Sequence, residues 1–206
     1  MTIYTIIGCG AWGTTIGKIL SENKHNVTIW CHREEIATQI NTTNTHYKLP
    51  DITLPKTLKA TTNLTPLLDK THIFINALPS KHLHHLDQLL NHPKPILSLT
   101  KGLNPNITPL FITDYLTQKF PNHPLVLLSG PNLALEISKK QPAATVIASN
   151  HKTICKMIQN EISNHYFRAY RSQDIKGIEI GGVFKNIIAI AAGCITGLGL
   201  GENTKA

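Results

Sequence analysis

The chain has 206 residues, of which 41% are hydrophobic and 16% are charged, with 13 glycines and 12 prolines. This ordinary globular composition excludes a disordered chain, a collagen-like repeat and a coiled coil, and the length allows one large or two small domains. Lysine and arginine exceed aspartate and glutamate by 20 to 12, so the formal net charge is +8. That charge suits a phosphate-bearing ligand or nucleic acid, but from charge alone a basic solvated surface is the favoured explanation.

Short β-branched runs alternate with longer helical stretches along most of the chain, a pattern typical of a parallel sheet with helices on both faces. The predicted strands are Ile3–Ile7, Val27–Trp30, Leu58–Thr61, His72–Ala77, Pro95–Leu99, Leu125–Leu128, Ala144–Ala148 and Phe167–Arg171. The predicted helices are Trp12–Asn23, Glu34–Asn41, Pro66–Asp69, Lys81–Leu90, Thr108–Lys119, one from Asn132, and Lys152–Ser163. We therefore expect an α/β fold with a Rossmann-type, doubly wound, mainly parallel sheet over residues 1–174.

From Ile175 onward glycines punctuate an apolar sequence that includes Ile187–Ala192. This pattern predicts the first helix of an all-helical domain, which we expect to be incomplete over residues 175–206. The longest charge-free stretch, Asn186–Gly201, is too short to span a bilayer, and the apolar run at the N-terminus is too short for a signal peptide. The sequence thus predicts a soluble protein with no membrane insertion.

The first chemical motif is the glycine-rich turn that follows the opening strand and precedes a helix. Gly8 permits the tight turn, Gly10 lets a pyrophosphate approach the backbone, and Gly13 lets the helix pack closely on the strand. The N-terminus of the helix then offers free N–H groups to phosphates. This order of strand, turn and helix predicts dinucleotide binding, with a purely structural turn as the alternative.

Cofactor preference is set at the end of the second strand, where a carboxylate would bind the ribose 2′-hydroxyl. The sequence there reads Trp30-Cys31-His32-Arg33, and the first carboxylate is Glu34. Because Arg33 could pair with a 2′-phosphate and stack on adenine, the sequence favours NADP, or a site that accepts both NADP and NAD. A solvated cation at the start of a helix is the alternative interpretation.

Three loops follow predicted strands at the edge where open α/β sheets bind ligands. They are residues 76–80, 100–102 and 129–132. Lys101 would place an ammonium group at this crevice, and Pro131 suits the first turn of a helix whose N–H groups face an anion. Each loop alone could be ordinary turn chemistry.

Lys185 is the only cation between Lys176 and Lys205, and it is expected at the start of an apolar helix. Apolar surroundings would lower its pKa and suit it to proton transfer, whereas a lysine that snorkels from one helix face is the alternative.

Cysteine and histidine give no sign of a metal site. The four cysteines, Cys9, Cys31, Cys155 and Cys194, include no C-x-x-C pair, which indicates a reducing, cytoplasmic environment without a disulfide framework. Three histidines between residues 82 and 85 share one polar helix segment and are interpreted as a solvated face. The prediction is therefore that the protein holds no metal.

The motifs in their order resemble those of bacterial-type NAD(P)-dependent glycerol-3-phosphate dehydrogenases. The matching segments are 8–14, 30–33, 78–80, 100–103, 129–131 with Glu136, and 181–189. The resemblance implies interconversion of sn-glycerol 3-phosphate and dihydroxyacetone phosphate with NADP or NAD, feeding glycerophospholipid synthesis.

The resemblance also implies roles for individual residues. Lys185 would be the catalytic proton acceptor and would contact substrate, and Lys101 would contact both cofactor and substrate. The other implied cofactor contacts are Ala11, Trp12, His32, Arg33 and Ala134, and the other substrate contacts are Gly130 and Asn132.

The chain departs from the family pattern in two places. Asn132 stands where Thr or Ser is usual, and the helical domain that supplies an Asp and a Ser-Arg-Asn element is expected to be truncated.

Other hypotheses remain open at this stage. The chain could be another two-domain reductase, of the 3-hydroxyacid or ketopantoate type, or an inactive dinucleotide-binding remnant. A nucleic-acid binder rests on net charge alone, and no run of lysine and arginine supports it. A homodimer through the apolar helix is a further open alternative.

Overall fold

The computed structural model describes residues 1–103 and 109–205, and its centre is one eight-stranded sheet. The strands are β1 (Ile3–Ile7), β2 (Asn26–Trp30), β3 (Lys59–Thr61), β4 (Ile73–Asn76), β5 (Ile96–Ser98), β6 (Leu125–Ser129), β7 (Ala143–Ala148) and β8 (Phe167–Ser172). Their order across the sheet is β3-β2-β1-β4-β5-β6-β7-β8. The first six strands run parallel, whereas β7 pairs antiparallel with β6 and β8 runs parallel to β7.

Helices cover both faces of this sheet, and a long helix follows it. The α-helices are α1 (Ala11–Glu22), α2 (Glu34–Thr43), α3 (Thr65–Leu68), α4 (Ile112–Lys119), α5 (Ala134–Ser138), α6 (Lys152–Ile162), α7 (Ile175–Gly197) and α8 (Glu202–Lys205). A 3₁₀ helix spans Ser80–Leu89. The predicted α/β class, with a Rossmann-type, doubly wound, mainly parallel sheet followed by a helical segment, is confirmed.

Two hydrophobic clusters lie on opposite faces of the sheet, because successive side chains of a strand alternate between faces. Ile6 and Ile29 belong to one cluster, while Ile7, Trp30 and Phe74 belong to the other. Strand β1 is buried on both faces, as expected for the central strand of a parallel sheet.

Several predicted helix boundaries are wrong in ways that matter for the site. The helix expected from Asn132 begins at Ala134, so Pro131 lies in the preceding loop and not in the first turn. Asn132 N–H donates to the Gly130 carbonyl at 2.8 Å, and this tight turn delays the helix. Helix α4 begins at Ile112, while the predicted start at Thr108 lies outside the described residues.

Helix α7 begins well before the apolar segment that predicted it, so Lys185 lies in the middle of the helix and not at its start. By length and composition α7 could cross a membrane, with a mean hydropathy of 1.7 and 6% burial in its most apolar window. One such helix is weak evidence for membrane insertion, because the core helix of a soluble protein passes the same test.

A buried carboxylate attaches the first turns of α7 to the sheet domain. Glu179 is 5% exposed and accepts hydrogen bonds from the backbone N–H and the hydroxyl of Thr113, at the start of α4. Lys176 Nζ lies 3.6 Å from Glu179 Oε2 and 2.5 Å from Asp114 Oδ1. Since first-turn amides have no partner within their own helix, Glu179 caps α4 from a distant part of the chain.

Helix α1 packs very closely on β1 at one glycine. A Cβ atom at Gly13 would lie 2.6 Å from the Gly8 carbonyl oxygen and 2.8 Å from the Ala77 Cβ. A Cβ atom at Gly10, by contrast, would meet no atom within 4 Å. Of these two glycines, Gly13 is therefore the one that packing requires, and Gly10 leaves open space in front of the helix.

We predict that Glu179→Ala lowers the free energy of unfolding by about 1.5–3 kcal/mol, because it removes hydrogen bonds to a buried charge. Urea denaturation measures this effect. The control is Glu202→Ala, whose side chain is 91% exposed and which should change stability little. Equal stability of the two variants would contradict a cap at α4.

We predict that Gly13→Ala lowers stability by about 1–3 kcal/mol through overpacking. Gly10→Ala should leave stability unchanged, because its backbone is extended (φ −74°, ψ 168°) and its surroundings are open. Thermal unfolding of the two variants gives the comparison, and a Gly13→Ala protein as stable as Gly10→Ala would show that the close contact is unimportant.

Candidate active site

The glycine turn presents the N-terminus of α1 to the carboxyl edge of the sheet. Gly8 has φ +115°, and a Cβ there would lie 2.8 Å from the Ala77 carbonyl oxygen, so only glycine fits. Gly10 is the N-cap residue, no side chain caps the helix, and its first turn contains no acidic residue. The first-turn amides and the helix dipole are thus available to an anion, and the space at Gly10 admits it.

A cleft of about 330 Å³ opens directly in front of this turn. Its lining residues are Gly8, Cys9, Gly10, Trp30, His32, Arg33, Ile36, Tyr47, Lys48, Ala77, Leu78, Pro79, His82 and His85. Two lysine or arginine side chains and three imidazoles are among them, and none of the lining residues is acidic. This composition fits a phosphorylated ligand whose phosphates lie at the α1 N-terminus.

Arg33 is held at the mouth of this cleft by Tyr47. Its guanidinium donates to the Tyr47 hydroxyl at 2.7 Å and lies 5.6 Å from the centroid of the tyrosine ring. The Lys48 ammonium lies 5.5 Å from the same centroid. One aromatic ring therefore gathers two cations beside the end of β2.

The buried His46 connects this loop to the glycine turn. Burial lowers the pKa of His46, which favours the neutral ring. Lys48 N–H donates to Nδ1 at 3.2 Å, so the proton resides on Nε2, which donates to the Cys9 carbonyl at 2.8 Å. This bond fixes the Cys9 backbone in the turn.

The three loops predicted to share one edge of the sheet do meet there. Asn76 donates from Nδ2 to the Thr100 hydroxyl at 2.9 Å, and Thr100 donates to the Leu78 carbonyl at 2.8 Å. Lys101 Nζ donates to the Gly130 carbonyl oxygen at 2.7 Å. Two predicted substrate-binding residues, Lys101 and Gly130, are thus in direct contact.

A second cleft, of about 340 Å³, separates β6 from α7 and contains Lys185. Its lining residues are Ser129, Gly130, Pro131, Val146, Gly177, Ile178, Gly181, Gly182, Lys185 and Ile188. A Cβ on Gly182 would lie 2.6 Å from Ser129 Oγ, so glycine at this position lets α7 approach β6.

Burial, together with the positive charge of Lys185, lowers the pKa of Lys101. The charges of the two lysines therefore repel each other, and an anionic ligand bound near both would relieve that repulsion.

The other predicted contacts lie around the clefts without lining them. The Trp12 ring packs edge-on against Phe167, with 6.4 Å between the ring centroids, so only the Trp12 backbone faces the turn. The indole Nε1 of Trp12 is buried and has no hydrogen-bond partner in the described part of the chain. Asn132 Nδ2 donates to the Ala144 carbonyl at 2.8 Å. Ala11 and Ala134 begin α1 and α5, and Thr15 bonds to the carbonyls of both.

Sequence reasoning missed four residues that line the first cleft, namely Tyr47, Lys48, His82 and His85. The histidine segment, which is interpreted from the sequence as a solvated face, borders this cleft: His82 and His85 line it from a 3₁₀ helix that is kinked at His82. Tyr47 and Lys48 lie in the long connection between α2 and β3. The length of this connection could have indicated a binding site, since long loops often serve one.

No candidate metal centre is found within residues 1–103 and 109–205, where no three His, Cys, Asp or Glu side chains are grouped to hold an ion.

Two family models match the chain. The model for the NAD-dependent glycerol-3-phosphate dehydrogenase N-terminus matches residues 4–155, and the model for the C-terminus of the same family matches residues 174–206. The first match alone covers most of the chain.

Individual relatives agree with this result. The chain is 36% identical over 214 aligned residues to glycerol-3-phosphate dehydrogenase [NAD(P)+] of Bacillus pumilus, a match that covers 100% of the chain and 62% of that protein. It is 42% identical to the enzyme of the same name from Corynebacterium diphtheriae, covering 98% of the chain and 62% of the relative.

A solved structure gives the same picture. The glycerol-3-phosphate dehydrogenase of Coxiella burnetii superposes with a TM-score of 0.87 at 28% identity, covering 98% of the chain and 63% of that structure. The chain thus spans less than two thirds of the length of these relatives. On the strength of its two family matches, it belongs to the NAD-dependent glycerol-3-phosphate dehydrogenase family.

Proposed function

We propose that this chain interconverts sn-glycerol 3-phosphate and dihydroxyacetone phosphate with NADP(H) or NAD(H), an oxidoreductase activity that feeds glycerophospholipid synthesis. One observation carries the proposal: the bond from Lys101 Nζ to the Gly130 carbonyl brings two loops together beside Lys185, at the same sheet edge as the glycine turn. The relatives named above carry this activity in their names.

The dinucleotide would lie on the glycine turn. Gly8, Gly10 and Gly13 shape the turn, and the backbone amides of Ala11 and Trp12 lie in the first helical turn. The other proposed cofactor contacts are His32, Arg33, Lys101 and Ala134. When bound, the nicotinamide supplies or accepts the hydride.

Lys185 would perform the proton transfer. In the reducing direction its ammonium gives a proton to the carbonyl oxygen of dihydroxyacetone phosphate, and in the oxidising direction its amine takes that proton back. Lys101, Gly130 and Asn132 would hold the substrate. A phosphorylated substrate suits this place because the lining of the cleft around Lys185 contains no acidic residue.

The functional division of the chain is proposed to fall between the sheet domain, residues 1–174, and the helical segment, residues 175–206. Lys185 stands on the second part and Lys101 on the first, so the site forms where the two meet.

We further propose a cytoplasmic enzyme without metal, nucleic-acid partner or membrane insertion. The exposed apolar residues of α7 leave a homodimer as an additional proposal. The matched family does not favour a 3-hydroxyacid or ketopantoate reductase, nor an inactive remnant.

We predict dihydroxyacetone-phosphate-dependent oxidation of NADPH or NADH by the chain, and a loss of about 10²–10⁴-fold in kcat for Lys185→Met, as expected when a general acid is removed. Absorbance of the reduced nicotinamide measures both. Lys205→Met is the control, because its lysine lies on α8, away from the clefts. Binding of NADPH without turnover would contradict the proposed activity of this chain, and turnover only with a 3-hydroxyacid or ketopantoate would contradict the substrate.

The first cleft supports a preference for NADP over NAD. The position where an acidic residue would bind the 2′-hydroxyl is occupied by the buried Cys31, and the lining residues offer Arg33, Lys48 and three imidazoles instead. The His85 ring lies 5.7 Å from that of His32 and 5.3 Å from that of Trp30, between centroids. A 2′-phosphate would find positive charge at this end of the cleft.

His85 should make this preference depend on pH. Burial lowers the pKa of His85, and nearby His84, His32 and His82 lower it further, while Asp87 opposes them. The ring therefore gains its charge only as the pH falls below the ordinary histidine value of about 6.5. We predict that the affinity for NADPH relative to NADH is nearly constant between pH 8 and pH 7 and rises as the pH falls below about 6.5.

The matched variants are His85→Gln, which removes the titrating ring from the cleft, and His165→Gln, which removes an exposed ring that does not line it. We expect His85→Gln to reduce the ratio of NADPH affinity to NADH affinity by about 3- to 5-fold at pH 6. That is the effect expected from the loss of one partly exposed charge pair, and calorimetry measures both affinities. Equal weakening of NADPH and NADH would show that His85 stacks on the adenine and does not contact the 2′-phosphate.

A further inference from the structure

Two thiols lie side by side under the glycine turn. The parallel pairing of β1 and β2 places Ile7 opposite Trp30, and the bond from Gly8 N–H to the Trp30 carbonyl, at 3.2 Å, carries the pairing one residue further. Cys31 directly follows β2 and lies opposite Gly8 in this register, and Cys9 follows Gly8, so the two cysteines lie one residue out of register at the ends of adjacent strands. Both cysteines are free.

The two side chains also share one face of the sheet. Cys31 is fully buried in the cluster that contains Ile6 and Ile29, and Cys9 packs against that cluster while lining the first cleft. One sulfur is thus reachable from the cleft, and the second lies directly beneath it. The remaining cysteines differ, because the buried Cys155 donates to the Ile147 carbonyl and Cys194 lies exposed on α7.

The environment activates Cys9 in preference to Cys31. A hydrogen bond from the Cys31 thiol, with backbone bonds and the charge of Arg33, lowers the pKa of Cys9 to about 7 although burial opposes this. The same pairing and burial raise the pKa of Cys31. A low-pKa thiol reached from a cleft, with a second thiol beside it, is the arrangement of a reactive cysteine and its resolving partner.

We propose that Cys9 and Cys31 form an oxidation-sensitive dithiol site that closes to a disulfide and thereby blocks dinucleotide binding. This inference rests on the proposed function of the glycine turn. With a peroxide as oxidant, the Cys9 thiolate attacks one peroxide oxygen and the O–O bond breaks. This yields a sulfenic acid and, after protonation, water or an alcohol. The Cys31 sulfur then displaces the sulfenic hydroxyl, so that the S–S bond forms and water leaves.

The turn has little freedom to absorb this bond without moving. The carbonyl of Cys9 is held by His46, and Cys9 lies one residue beyond the position opposite Cys31, so drawing its sulfur into an S–S bond must displace the turn itself. That turn forms the phosphate cradle in front of Gly10. By linkage, a dinucleotide bound over Cys9 should in turn protect it from oxidation.

The test is hydrogen peroxide treatment of the whole chain, followed by peptide mapping and calorimetry with NADPH. We expect a Cys9–Cys31 disulfide, a loss of two hydrogen atoms in mass, and an NADPH affinity at least tenfold weaker that dithiothreitol restores. Bound NADPH should slow the oxidation. In Cys31→Ser, oxidation should stop at a Cys9 sulfenic acid that dimedone traps, whereas Cys155→Ser and Cys194→Ser should behave like the parent chain.

Three results would overturn the inference: absence of the Cys9–Cys31 disulfide, preferential oxidation of Cys194, or a disulfide that leaves NADPH affinity unchanged. A reduced chain that does not bind NADPH would instead contradict the proposed function. The mapped disulfide would still report whether the two thiols react, so the two failures are distinguishable.

Discussion

The close contact between α1 and β1 is the constraint on which the rest of the site depends. With no side chain at Gly13, the helix rests against the Gly8 carbonyl and Ala77, and its N-terminus points at the carboxyl edge of the sheet. Parallel pairing brings the ends of β1, β4, β5 and β6 to the same edge. An anion held at α1 therefore lies at the same edge of the sheet as the loops that follow β4, β5 and β6.

The second constraint is a pair of like charges that the fold holds together. Lys101 is fixed by the Gly130 carbonyl, and Lys185 is carried by α7, which Glu179 and the close approach of Gly182 attach to the sheet domain. The positive charge of Lys185 lowers the pKa of Lys101, and a bound anion would offset this repulsion, which is the electrostatic reason to expect a phosphorylated substrate. The same electrostatic argument applies to the first cleft, where the cations around Tyr47 would attract a 2′-phosphate.

The sequence predicted the sheet well because strand periodicity and glycine spacing are local, and it also predicted that the loops bearing Lys101 and Gly130 would meet. It could not predict the features that depend on tertiary contacts. The turn at Gly130 displaces the start of α5, and Asp174 caps α7 ahead of the apolar segment by accepting the Gly177 N–H. His82 and His85 line the cleft from a 3₁₀ helix that is kinked at His82. The proximity of Cys9 to Cys31 required the strand register.

The central claim is that Lys101 and Lys185 belong to one site for a phosphorylated substrate. The most direct measurement is the pKa of Lys101, followed by NMR of isotope-labelled lysine side chains as glycerol 3-phosphate is added, with Lys205 as the internal reference. Burial and Lys185 now hold this pKa below its ordinary value, and a bound dianion should raise it. An unchanged Lys101 pKa at saturating glycerol 3-phosphate would contradict the account.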